Sequence, residues 1–250
     1  MFTPETVAMV IACFLLGGFM KGAIGMGLPV VVLAGLSFLM PLRDAMAIFL
    51  VPGVLSNLWQ ASAGPWFWEL LRRLWSFFGA AFLAIWVGVF IIAATKSNVM
   101  VLALAAGLCV YSLWSLIMPR LPPPGRQEGW MSPAAGALGG VMFGMTGTFV
   151  VPGLLYLETL GLKRDMFVQA LGITFLTISA TLAVSMSGFG LVGWDHAVLS
   201  ATGLVPVFAG IWAGRRVRHR ISEAFYRKLF FVALFVTGVY LFLRTMLAGG

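Results

Sequence analysis

Charge is what this chain has least of. Charged residues fill 10% of its 250 positions, and only eight of them are acidic. An ordinary soluble domain is about 25% charged and about 45–50% apolar. Here 61% of residues are hydrophobic and the mean hydropathy is +1.01. A soluble fold of this size has too little interior to hide that much apolar surface. The solvent for this chain is lipid.

The other scarcities remove classes of chemistry. Cys13 and Cys109 stand singly inside apolar blocks. They form no disulfide framework, no metal-ligand spacing and no CxxC pair. The acids Glu5, Asp44, Glu69, Glu128, Glu158, Asp165, Asp195 and Glu223 all fall at or near expected helix ends, as do His196 and His219. A proton relay through the membrane has no evident carrier. There is no HExxH and no His-Asp cluster beside a nucleophile, so enzymatic activity and a cofactor are not expected. The start, MFTPETVAMV, has no basic stretch before its apolar run, so a cleaved signal peptide is not expected.

What is present is long and oily. Blocks of roughly 20 apolar residues, such as 77–95 and 99–118, match the length of a membrane helix. Barrel strands would alternate with period two instead. The net charge of +8 comes from cations in short loops, where they set orientation. Nucleic acid is not an expected partner; membrane lipid and a small anion are, with a homodimer left open.

The chain is written twice. "GGFMKGAIGMG" begins at Gly17 and "GGVMFGMTGTF" at Gly139, an offset of 122 residues. The pairs Gly17/Gly139, Gly18/Gly140, Met20/Met142, Gly22/Gly144 and Gly25/Gly147 are identical. A proline follows each (Pro29, Pro152), then Arg43-Asp44 and Arg164-Asp165, then "IWVG" from Ile85 and "IWAG" from Ile211. The expected halves are 1–118 and 132–250, joined by a polar, Pro-rich linker over 119–131. Each half holds a glycine-broken element and three uninterrupted helices. These are about 5–40 (broken), 43–62, 74–94 and 98–118, then 133–157 (broken), 166–188, 196–214 and 225–247.

The broken elements either cross once or turn back as hairpins or re-entrant segments. Single crossings divide the cations ten against five; turning back divides them twelve against three, with Lys21 in the break and only Arg43, Lys96 and Arg244 outside. The second division fits the positive-inside rule better. It puts both termini outside and makes the halves inverted repeats, an arrangement common in secondary transporters. The expected fold is an all-α polytopic membrane protein of two inverted repeats. In each, a glycine-broken hairpin or re-entrant element precedes three transmembrane helices.

A broken helix in lipid frees backbone groups and is tolerated only where it is buried in protein or lines a cavity. Gly22, Gly25 and Gly27 permit the turn, and Pro29 suits the first turn of a new helix. Its free N–H groups and positive dipole end favour an anion. Thr146, Gly147 and Thr148 hold the matching place. Candidate substrate-binding residues are these, Lys21, and the in-span polar residues Asn57, Gln60, Gln169 and Thr174. Other roles stay open: small-xxx-small packing for the glycines, snorkelling for Lys21, and helix–helix hydrogen bonds for the amides. The Arg-Asp pairs suit helix ends, "GRRVRHR" from Gly214 suits a lipid-facing anchor, and Trp66, Trp68, Trp75 and Trp194 suit an interfacial belt.

The block "GGFMKGAIGMGLPVVV…PLRDAMAIFLVPGVLSNLWQ", its echo after Gly139 and the "IWVG"/"IWAG" elements resemble the TauE/SafE family. That family comprises sulfite and organosulfonate permeases and is also called the toluene-sulfonate uptake permease family. The resemblance covers nearly the whole chain. It implies an inner-membrane transporter with duplicated halves, a sulfur-bearing anion as substrate, and substrate contact at Lys21 and around Thr146–Thr148. The inside-negative potential drives an anion outward by about 2.3 kcal/mol per charge per 100 mV, which favours export. An anion channel of the same architecture and a non-transporting assembly factor are the alternatives.

Overall fold

The computed structural model describes residues 3–94, 97–117, 122–217 and 223–248. These are helical, with no strand among the described residues. The helices are α1 (Pro4–Ile24), α2 (Leu28–Leu36), α3 (Leu42–Ala61), α4 (Phe67–Arg73), α5 (Trp75–Ala94), α6 (Ser97–Ile117), α7 (Glu128–Thr146), α8 (Leu155–Thr159), α9 (Arg164–Gly188), α10 (Trp194–Thr202), α11 (Leu204–Val217) and α12 (Glu223–Ala248). A 3-10 turn (Gly125–Gln127) leads into α7, and a π-type turn (Val150–Leu154) leads into α8. Lys96, Arg120, His219 and the arginines at 218 and 220 lie outside the described residues, as does the linker over 119–121.

Among the described residues, five stretches are long and apolar enough to cross a membrane: Pro4–Ile24, Trp75–Ala94, Val99–Ile117, Arg164–Gly188 and Trp194–Val217. Large apolar side chains such as Leu83, Phe90, Val205 and Leu247 are exposed on the outside of the bundle, the face lipid would cover. Trp68, Trp75 and Trp194 are also strongly exposed, whereas Trp66 is half-buried.

One expected span needs correction. The element over 196–214 is not uninterrupted: a turn at Gly203 separates α10 from α11. The Phe14 ring occupies the space a side chain there would need, since a Cβ on Gly203 would lie 2.5 Å from its Cδ2.

Both breaks begin the same way. α1 ends at Gly25, in the left-handed region (φ 87°), with its N–H donated to the Lys21 carbonyl at 2.8 Å. α7 ends at Gly147 (φ 69°), with its N–H donated to Phe143 at 2.7 Å. Only glycine takes this conformation without strain. The chain then doubles back. Gly17 of α1 faces Leu28 and Val32, and Gly35 of α2 faces the Cys13 sulfur. In the second half Gly139 faces the Phe149 ring and the Gly153 backbone.

The long arm of each broken element packs on a helix of the other half. α1 runs beside α11, with Gly18 against the Val207 backbone and Gly22 against that of Ile211. α7 runs beside α5, with Gly136, Gly140 and Gly144 against Phe77, Ala81 and Ile85. Backbones approach this closely only where side chains are missing. α3 crosses α9 directly, with Gly172 against the Gln60–Ala61 backbone, and α6 pairs with α12 through Tyr111 and Phe231, edge to face at 5.0 Å.

Polar contacts tie the helix ends. Asp44 at the start of α3 lies 3.3 Å from His196 at the start of α10, and Arg244 donates to the Phe38 carbonyl. At the opposite end of α3, Arg215 stacks over Trp59, 3.9 Å from the ring centroid. Arg73 at the end of α4 holds Glu128 through two bonds of 2.8 and 2.9 Å. The hydrogen bonds from Arg73 hold the Glu128 carboxyl below its usual range, more than burial raises it.

Candidate anion site

Lys21 sits on the last turn of α1, one turn before Gly25, and is 6% exposed. Its ammonium donates to Ser56 Oγ at 3.1 Å and to Asn57 Oδ1. Both partners are neutral. Asn57 in turn donates from Nδ2 to Ser179 Oγ of α9 at 3.4 Å. A cation in lipid without a carboxylate partner is expensive, and such residues are functional candidates by default.

Gln60, one turn beyond Asn57, holds the break itself. Its Nε2 donates to the Gly25 carbonyl and to the Val168 carbonyl of α9, each at 2.9 Å. Gln169 performs the converse tie. It donates to the carbonyls of Ala61 (2.9 Å) and Gly64 (2.6 Å), and its Oε1 accepts from the Trp66 N–H at 2.9 Å. The amides therefore brace the α3–α9 crossing, and Gln60 also fixes the first break.

The second break is quieter. Thr146 donates to the Met142 carbonyl at 2.7 Å, and its oxygen lies 2.8 Å from the Thr148 hydroxyl and 3.3 Å from the Thr148 N–H. Thr174 donates to the Ala170 carbonyl of its own helix. Gly147 is filled around by Leu33 and Met46, while Gly25 touches Val168. The tip of each broken element thus reaches the first turns of the other half's next helix.

The two breaks meet at a small pocket. Met26, Gly27, Pro29 and Val30 come from the first, Phe149 and Leu154 from the second, with Tyr111 of α6 and Phe175 of α9 closing it. Its walls are mostly apolar. Gly27 (φ 101°) caps α2 without any side-chain hydrogen bond, so the positive end of α2 opens beside this pocket. Lys21, Asn57 and Gln60 lie outside its lining, on the α3 side of the same break. Among the described residues no three His, Cys, Asp or Glu side chains converge on a metal position.

Two groups of residues were not singled out by the sequence. Ser56 and Ser179 partner Lys21 and Asn57; the second lies 122 positions after Asn57, so the repeat offset points to it. Tyr111, Phe149 and Phe175 line the pocket, and nothing separates them from other core aromatics in the sequence.

The all-helical fold and its long apolar helices define a multi-pass, all-α membrane protein. The chain belongs to the sulfite exporter TauE/SafE family, whose model matches residues 10–241. This is a family of membrane transporters, not of enzymes. No curated protein matches the chain, and no solved structure does.

Proposed function

We propose that the protein is a secondary transporter that exports small sulfur-containing anions, such as sulfite or organosulfonates, across the inner membrane. The substrate binds between the two broken elements. The observation that carries this reading is Lys21: a buried cation beside a helix break, whose hydrogen-bond partners among the described residues are neutral. An anion supplies the charge that Ser56 and Asn57 lack. The uncapped start of α2 adds a second attraction for negative charge.

Alternating access asks for two halves that face opposite ways. Several contacts support that arrangement here. α1 runs parallel to α11, toward the end of α3 marked by Arg215 and Trp59, and α2 returns toward the end marked by Asp44 and His196. α7 starts from the Arg73–Glu128 end and its continuation returns there to α9, where Gln169 meets Ala61 and Gly64. The two hairpins thus enter from opposite ends. The Arg215 end carries Arg72, Arg73, Lys163 and Arg164 as well, and is the cytoplasmic side by the positive-inside rule. Both termini are then outside.

The test is counterflow of labelled sulfite in proteoliposomes. Saturable uptake that is accelerated by unlabelled anion inside, and lost in Lys21→Met, is expected. Flux without saturation or counterflow would make the protein a channel. No flux at all would overturn the transport reading.

A further inference from the structure

The ammonium of Lys21 has three N–H donors, and two of them are directed at Ser56 and Asn57. Its charge has no negative partner in that pair. Gln60 shows the complementary deficit. Both of its amide hydrogens are spent on the Gly25 and Val168 carbonyls, while its Oε1 is buried with no hydrogen-bond partner. Gln60 is 5% exposed, so bulk water does not reach that oxygen freely. An acceptor kept buried and unpaired is costly.

The two deficits are neighbours. Asn57 and Gln60 are one turn apart on α3, and Lys21 and Gly25 are one turn apart on α1. The residue that receives the unmet charge and the residue with the unmet acceptor therefore sit one helical turn, roughly 5 Å of axis, apart on α3. A metal cation would satisfy the Gln60 oxygen, but the Lys21 ammonium repels it in a medium where charges are poorly screened. A bare anion would satisfy Lys21 and set its own lone pairs against the Gln60 oxygen.

We infer that the site selects a monoanion that carries its own hydrogen-bond donor, with the anionic oxygens on Lys21 and the donor on Gln60 Oε1. The inference rests on the anion-transport reading and makes Gln60 a specificity-determining residue within it. Hydrogensulfite meets the requirement, as does a sulfonate with a hydroxyl group; fully deprotonated sulfite and plain alkylsulfonates do not. For a protonatable oxyanion the proton then travels on the substrate. That agrees with a chain whose carboxylates all stand at or near helix ends.

The experiment is ligand-dependent thermal stabilisation of the detergent-purified full chain, titrated with 2-hydroxyethanesulfonate and with 1-propanesulfonate. The two have the same charge and the same number of heavy atoms; only the hydroxyl differs. Wild type is expected to bind the hydroxylated anion about tenfold more tightly, the worth of one hydrogen bond. In Gln60→Met the preference disappears while both anions still bind. Equal binding of the two sulfonates by wild type overturns the inference and leaves the anion site standing. So does a preference that survives in Gln60→Met. If neither anion stabilises the wild type, and Lys21→Met behaves identically, the anion reading itself falls. The wild-type comparison needs no variant, so it decides the matter even where Gln60→Met does not fold.

Discussion

At the first break the carbonyl that closes the helix end belongs to Lys21; at the second it belongs to Phe143, 122 positions later. The backbone device is the same in both: a left-handed glycine, a return strand of helix, and a glycine stripe against a helix of the other half. The surroundings are not. Lys21 reaches Ser56 and Asn57, while Phe143 is fully buried with its ring 6.3 Å from that of Phe149. On the proposed two-repeat reading the scaffold is present twice and the fixed charge once. On that reading the glycines shared by both halves serve as scaffold. Chemistry belongs where the halves differ.

Four substitutions test that division. Gly22→Leu and Gly144→Leu place a side chain against the backbones of Ile211 and Ile85. Neither backbone can retreat without separating the helices, so each variant is expected to lose about 3 kcal/mol or more. Thermal unfolding and monodispersity in detergent measure this. Collapse of only one variant would show that the two stripes are not equivalent scaffold.

Lys21→Met is expected to weaken anion-dependent stabilisation by at least about 100-fold, the loss of a buried charged hydrogen-bonding partner. The ligand-free melting temperature should stay level or rise, because a buried charge has been removed. Phe143→Leu, at the matching position, should lower stability by about 1 kcal/mol and leave binding alone. Equal binding losses in the two variants would contradict the asymmetry.

Gln169→Leu leaves the Ala61 and Gly64 carbonyls and the Trp66 N–H without their partner. A loss of about 2–3 kcal/mol follows from orphaned buried groups, with anion affinity unchanged. A change in affinity without a change in melting temperature would move Gln169 from brace to ligand contact.

The smallest effect belongs to Glu128→Gln. Arg73 lowers the Glu128 pKa in the fold, so the pair stabilises the protein above the ordinary carboxylate range. That contribution is lost as pH falls from about 4.3, the unfolded reference, through the lowered folded value. Both side chains are partly exposed (39% and 29%), so the gap between wild type and variant at pH 7 should stay below about 1 kcal/mol. It should close on acidification; a gap that persists at low pH would assign the effect to packing.

Most of the architecture is legible in order of residues. The expected elements over 43–62, 98–118 and 166–188 lie within one or two residues of α3, α6 and α9. Apolar runs of membrane length and glycines at a constant offset are local signals, and each is strong because lipid forbids unsatisfied backbone. Gly203 is the instructive miss. It lies where Pro206 withholds an N–H from the Thr202 carbonyl, a local signal passed over in the apolar run, and where the Phe14 ring of another helix leaves no room for a side chain.

The candidate site divides along the same line. Composition alone demanded lipid, and pattern alone located the two breaks, the lone lysine between apolar runs and the amides one turn apart. Those conclusions need only neighbouring residues and the solvent they imply. Which neighbours share a face was settled elsewhere. Lys21 meets Asn57 and Ser56, Gln60 grips Gly25 and Val168, and seven side chains from four separate elements wall the pocket, because helices far apart in the chain cross where glycine lets their backbones touch. A contact of that kind depends on helix rotation and crossing angle, and neither is encoded in any single stretch of residues.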